Sequence, residues 1–223
     1  MSGNIGCWVL ADGLGGHQGG ATASRLAVDA VLAAFREKPA VSPDAAGAYV
    51  RRANQALIER QQTEPELRSM RTTIVVLLAS PDAAAWAHIG DSRLYRFSGK
   101  TWERTKDHSV PQRLADAGEI PEDRIRFHED RNLLLKSLGS RAGVGVDVAA
   151  SDRAPRAGDA FLLASDGFWE WLTEAEMLED LRSSSSCREW LAKMEARVQG
   201  RATRGHDNYT AIGAMVRRTL SWT

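Results

Sequence analysis

The sequence predicts an α+β fold in which short strands pack as two antiparallel layers with helices on the outside. Three observations carry that expectation. An apolar run ending at Asp12 is followed by two helical patterns, residues 72–104 hold a succession of short apolar strands, and more strands return after residue 144 around a further helical pair. No segment repeats at a fixed period, which sets solenoids and propellers aside.

In chain order, residues 7–11 are apolar, β-branched and aromatic and stop at Asp12-Gly13, the pattern of a buried strand opening into a turn. Residues 21–38 place Leu26, Ala27, Ala30, Val31, Ala34 and Phe35 at spacings of three and four, an amphipathic helix. Ser42-Pro43 supplies an N-cap and a first-turn proline for a second helix, with Ala46, Tyr49, Val50, Ala53 and Leu57 on its apolar face. Residues 73–79 and 84–89 read as strands, and 94–97 with 101–104 as a hairpin around Ser98-Gly99-Lys100. Residues 109–117 read as a helix and 119–132 as polar and irregular. Strands are expected at 144–150, 160–164 and 209–216. Thr173-Glu174-Ala175-Glu176 is a capping box that starts one helix, and residues 187–198 form another. Ser183 to Ser186 reads as a solvated loop.

With 223 residues, 43% of them hydrophobic and only 7 prolines, the chain suits one compact domain over 1–223. Its 29 basic residues balance 29 acidic ones, so no global field recruits nucleic acid or an anionic membrane, and any phosphate recognition is local. Cys7 and Cys187 match no metal or redox spacing and are expected as reduced thiols. The apolar run at 5–11 is short, contains Gly6, lacks a basic lead and ends at Asp12. It supports neither a signal peptide nor membrane insertion, and a cytoplasmic location is expected.

Four segments share one chemical feature, an apolar strand that meets an aspartate flanked by small residues. They are Leu10-Ala11-Asp12-Gly13, Ile89-Gly90-Asp91-Ser92, Ala164-Ser165-Asp166-Gly167 and His206-Asp207-Asn208. One Asp-Gly at a strand end is ordinary turn chemistry; four together point to a shared site. Carboxylates without a cysteine or histidine cluster suit hard cations such as Mg²⁺ or Mn²⁺, and a glycine after the aspartate lets its carbonyl approach an ion. Two ions about 3.5–4 Å apart on a shared carboxylate can lower the pKa of a bridging water and stabilise a phosphoryl group under in-line attack. That chemistry needs no side-chain nucleophile.

At these residues the sequence resembles the PP2C-type (PPM family) metal-dependent serine/threonine protein phosphatases of bacteria. The resemblance rests on Ala11-Asp12-Gly13-Leu14-Gly15-Gly16-His17, Ile89-Gly90-Asp91-Ser92-Arg93, Ala164-Ser165-Asp166-Gly167 and Asp207-Asn208-Tyr209-Thr210. Lys106-Asp107-His108-Ser109, Gly118-Glu119-Ile120 and Leu138-Gly139 stand in the same order as the family's. It implies a four-layer α-β-β-α sandwich of two antiparallel sheets flanked by helices, with two core Mn²⁺ or Mg²⁺ ions at one end and a third, weaker ion. By position, Asp12 would bridge both core ions, the Gly13 carbonyl would bind one, and Asp166 and Asp207 would bind the other. Asp91 matches the position of the third ion, and residues 106–138 match a flap beside the site. Asp12, Asp166 and Asp207 are thus the expected catalytic set, with substrate-binding residues left unassigned. The implied substrate is a phosphorylated protein, a cognate serine/threonine kinase or its targets, acted on in signalling without a covalent intermediate.

Two departures stand out. Many eukaryotic relatives have a histidine, the proposed general acid, where this chain has Leu14, which has no proton to give. His17 can be read as a substitute or as a structural residue of the glycine loop. Family chains also begin with a strand carrying a phosphate-holding arginine and a nearby Asn-Glu-Asp. Residues 1–5 contain neither, so the usual N-terminal strand is expected to be missing and the recorded start to be truncated or misassigned. Phe168-Trp169-Glu170-Trp171 is read as a helix start packing on the sandwich, or as an aromatic wall for substrate peptide. The segment itself resembles that of phosphatases paired with a kinase in bacterial type VI secretion clusters. His88 and His128 are expected as strand and flap-surface residues, and Arg217-Arg218 as a solvated strand end. An alternative function is a non-catalytic phosphoprotein-binding domain; a two-metal nuclease is disfavoured by the balanced charge.

Overall fold

The computed structural model describes residues 5–14, 18–140, 145–202 and 207–217; Met1 to Asn4, His17, Val144, His206 and Arg218 lie outside them. The elements are β1 (Gly6–Leu10), β2 (Gly13–Leu14), α1 (Gln18–Glu37), α2 (Pro43–Thr63), β3 (Arg71–Thr72), β4 (Ile74–Ala79), β5 (Ala84–Ile89) and β6 (Arg93–Ser98). They continue as β7 (Thr101–Arg104), α3 (Val110–Asp116), β8 (Asp147–Ala150), β9 (Ala160–Ala164), α4 (Asp166–Trp169), α5 (Glu174–Arg182), α6 (Cys187–Arg201) and β10 (Ala211–Met215).

Two four-stranded sheets form, in the orders β1-β4-β5-β8 and β10-β9-β6-β7, and every pairing is antiparallel. α1 and α2 cover the first sheet, while α5 and α6 cover the second. This is the expected α-β-β-α sandwich. Three cores separate its layers. Ile74, Val76 and Leu78 of β4 face α1 and α2, while Val75 and Leu77 face the second sheet. In β9, Phe161 and Leu163 point between the sheets, and Ala160, Leu162 and Ala164 point to α5 and α6. Both strands are buried on two faces, which explains why they read as continuous apolar runs instead of alternating.

Local chemistry sets several boundaries. The Ser42 hydroxyl accepts the Ala45 N–H at 3.1 Å ahead of Pro43, and Thr173 and Glu176 cap α5 reciprocally. The β6–β7 turn is Gly99-Lys100, with Gly99 at φ +61°. Other boundaries differ from expectation. α1 begins at Gln18, just ahead of the Gly19-Gly20 pair, whose weak helix propensity hides the start. Those glycines are needed because Gly13 and Gly20 meet backbone to backbone; a Cβ on Gly13 would lie 2.2 Å from the Gly20 carbonyl oxygen. Residues 119–132, expected irregular, include a 3₁₀ helix at Glu122–Phe127. β8 and β10 are shorter than expected, and β2 pairs with β3 as a small extra ladder. Among the described residues no helix is long and apolar enough to cross a membrane.

Candidate metal centre

Three of the four predicted aspartates sit at or just after a strand end, and Asp207 lies in the irregular segment that leads into β10. Asp12 follows β1, and its peptide is held on both sides: its N–H donates to Thr73 Oγ1 at 3.1 Å, and its carbonyl accepts Thr73 N–H at 2.8 Å and the Thr72 hydroxyl at 2.7 Å. Asp91 follows β5 after Gly90, which has φ +102° and lies so close to Thr73 that a Cβ would sit 2.7 Å from the Thr73 Cβ. The Asp91 carbonyl accepts the Trp169 indole N–H at 3.0 Å. Asp166 opens α4 and accepts the Gly167 N–H at 2.7 Å. Gly167 passes against Asn208, where a Cβ would meet the Asn208 carbonyl oxygen at 2.3 Å. That close approach, with Ser165 N–H to Thr210 O at 3.0 Å and Thr210 N–H to Ser165 Oγ at 3.1 Å, brings Asp207 beside Asp166.

All four aspartates line one cavity of about 680 Å³, together with Gly13 and, from the 106–138 segment, Asn132 and Leu134. No lysine, arginine or histidine is among its described lining residues. The electrostatic consequence is direct. Burial pushes the Asp12 carboxyl up to about 7, with the charges of Asp166 and Asp207 adding to it. Burial also raises Asp166, against the opposing pull of the Gly167 N–H, and Asp12 and Asp166 are close enough to share a hydrogen bond. Asp91, 5% exposed, is raised well above the carboxylate range by burial and then by Asp166 and Asp107. Crowded, desolvated carboxylates without a basic side chain among them fit a divalent cation: the donors are all hard oxygens, and the missing positive charge is what the ion brings.

Beneath the cavity lies a buried polar layer that the sequence motifs did not reveal. Arg93, 2% exposed, makes two bonds to Asp107 at 2.8 and 2.7 Å, and its guanidinium sits 3.3 Å from the Trp169 ring centroid. Phe168 and Trp169 are therefore packing groups of the sandwich. Glu170, raised by burial and by Asp166, pairs with Arg131 at 3.1 Å. His88 sits on β5 as expected but stacks on His108 at 4.7 Å beside Asp147, a trio whose ligand atoms lie within 4.8 Å of one another. His128 caps the 3₁₀ helix and accepts the Asp130 N–H; neither it nor His88 lines the aspartate cavity. Arg93 and His108 lie within quoted motifs, so their presence was legible, but their partners were not.

A four-layer sandwich with an acidic cavity where its strands end defines a class of metal-centred domain. A family model described as protein phosphatase 2C matches residues 2–207, and the chain belongs to that family. It is 33% identical over 212 residues to the serine/threonine protein phosphatase PstP of Mycobacterium tuberculosis, an alignment covering 93% of this chain and 40% of that protein. The chain thus spans 40% of the length of that curated relative. The crystal structure of the PstP catalytic domain in complex with two manganese ions matches with a TM-score of 0.80 at 28% identity, covering 97% of this chain and 92% of that one. PppA, described as a key regulatory component of T6SS in Pseudomonas aeruginosa, matches with a TM-score of 0.76 at 31% identity, covering 93% of this chain and 85% of that one.

Proposed function

We propose that this chain is a metal-dependent phosphatase domain that hydrolyses phosphoserine and phosphothreonine esters on proteins. The observation that carries this reading is the acidic cavity: four aspartates from four separate chain segments, one with its pKa pushed up to about 7, and no basic side chain among the described lining residues. Asp12 would be shared by two Mn²⁺ or Mg²⁺ ions, the Gly13 carbonyl would serve one, Asp166 and Asp207 the other, and Asp91 a third, weaker ion. When bound, such ions supply a water acidified toward neutral pH and positive charge for the phosphoryl oxygens.

The chain's own part is to hold and orient. The Thr72 and Thr73 bonds fix the Asp12 peptide, and the Ser165–Thr210 stitching holds Asp166 and Asp207 side by side. Asn132 and Leu134 wall the cavity from the 106–138 segment, which we assign as a flap within a single 1–223 domain. Leu14, also in the lining, offers no proton and no histidine is among the described lining residues, so water or another group is the proposed proton source for the leaving group. A covalent route is disfavoured because the Ser24 hydroxyl donates to the Ala21 carbonyl, with no histidine in the described lining to activate it.

The substrate is read as a phosphorylated kinase or that kinase's targets, in the cytoplasm, and the likeness to PppA supports a secretion-linked role. The test is hydrolysis of p-nitrophenyl phosphate and of a phosphothreonine peptide with Mn²⁺ or with EDTA. Turnover in Mn²⁺ alone is the expected result. Peptide binding without turnover in either condition would move the assignment to a phosphoprotein-binding domain.

A further inference from the structure

His88, His108 and Asp147 form a compact group that does not line the aspartate cavity, and the hydrogen bonds of the two rings define their protonation. His88 Nε2 lies 2.7 Å from the Lys106 carbonyl, which can only accept, so the His88 proton is on Nε2. His108 Nδ1 accepts the Gly90 N–H at 3.1 Å, so its proton is also on Nε2, 3.2 Å from Asp147 Oδ2. Burial holds both rings below the ordinary histidine range, which keeps them neutral. A metal on His108 Nε2 would need that proton moved to Nδ1, where it would face the Gly90 N–H. The two rings are therefore engaged with backbone groups of Lys106 and Gly90 and act as a post, not as a ligand set.

What the post supports is the Gly90 peptide. The His108 ring takes the Gly90 N–H, and the His108 N–H donates to the Gly90 carbonyl at 2.9 Å, so one residue grips Gly90 at both ends. Gly90 is pressed on Thr73, whose hydroxyl accepts the Asp12 N–H and pairs with Ser92 at 2.7 Å. The His108 carbonyl in turn accepts the Leu135 N–H at 2.8 Å, and the neighbouring Ser109 bridges to Leu134, a cavity residue.

We propose that His108 is a positioning residue for Asp91: by accepting the Gly90 N–H through Nδ1, it sets the direction in which the next residue presents its carboxylate to the weaker ion. The proposal rests on the reading of Asp91 as a ligand of that ion. His108 touches no substrate; it acts through one peptide, and the Trp169 bond to the Asp91 carbonyl steadies the other side.

Side-chain geometry supplies the test. In Asn the Oδ1 atom occupies the place of Nδ1 and can accept the same N–H; in Gln the acceptor moves out to the place of Nε2; Phe keeps the ring and has no acceptor. Full-length His108→Asn, His108→Gln and His108→Phe are compared with the parent and with Asp91→Asn. The readouts are Mn²⁺ titration of p-nitrophenyl phosphate turnover, calorimetric counting of tight ions, and circular dichroism. An orphaned peptide N–H in this position is expected to raise the Mn²⁺ needed for half-maximal turnover roughly tenfold in the Gln and Phe variants. KM at saturating Mn²⁺ and the tight-ion count should stay as in the parent, and His108→Asn should lie within about threefold of it. Equal behaviour of Asn and Gln, or a parental Mn²⁺ curve in both Gln and Phe, overturns the proposal while leaving Asp91 as a ligand. A parental Mn²⁺ curve in Asp91→Asn removes the ligand reading itself, and the proposal with it.

Discussion

Replacing Asp12 by Asn should stabilise the metal-free protein while abolishing its activity. The unfolded chain releases the Asp12 proton near 3.8, whereas the folded one keeps it to about 7, chiefly because the carboxyl is buried and secondarily because Asp166 repels its charge. Between those values the folded state binds the extra proton, so metal-free stability falls as pH rises through about 4 to 7 and the penalty is complete above that. At about 1.4 kcal/mol per pH unit, the rise corresponds to about 4 kcal/mol as an upper bound, and water in the open cavity reduces the working figure to about 2 kcal/mol. Asn keeps the shape and carries no charge at any pH. In EDTA at pH 8, Asp12→Asn should therefore melt roughly 4–8 °C above the parent, with the gap closing toward pH 5. Adding Mn²⁺ should raise the parent's melting temperature by mass action and leave the variant's unchanged. The reasoning fails if the variant melts at or below the parent in EDTA at pH 8, or if the gap is the same at pH 5.

Asp166→Asn should lower turnover by more than a hundredfold at saturating Mn²⁺ with circular dichroism unchanged; activity within tenfold of the parent would take Asp166 out of the mechanism. Asp91→Ala should keep two tightly bound ions by calorimetry and lose turnover, and loss of a tight ion would make Asp91 a core ligand. Asp107→Ala leaves the Arg93 guanidinium buried without its two bonds, which should cost about 3–5 kcal/mol and lower the melting temperature by roughly 10 °C. A shift of less than about 3 °C would mean that Tyr95 and Glu174, at 3.1 and 3.8 Å, already satisfy Arg93.

Much of this protein is legible in its sequence because the determining signals are local. The capping box at Thr173, the Ser42-Pro43 start and the Gly99 turn each act through neighbours in the chain, and all appear where expected. The doubly buried strands β4 and β9 announce themselves by continuous apolar character, and three of the four aspartates by the strand ends that carry them. The 3₁₀ helix at Glu122–Phe127 and the early start of α1 were not legible, because a polar segment and a glycine pair have little helical preference of their own.

Tertiary structure alone decided how distant residues meet. Nothing in the spacing of Arg93 and Asp107 says that they bond in the interior over Trp169, and nothing in the order of His88, His108 and Asp147 says that they stack behind Gly90. The raised pKa of Asp12 likewise belongs to no motif. It exists because four chain segments converge on one cavity, where carboxylates lose water and face each other's charge, and both effects depend on distances that only the folded chain defines.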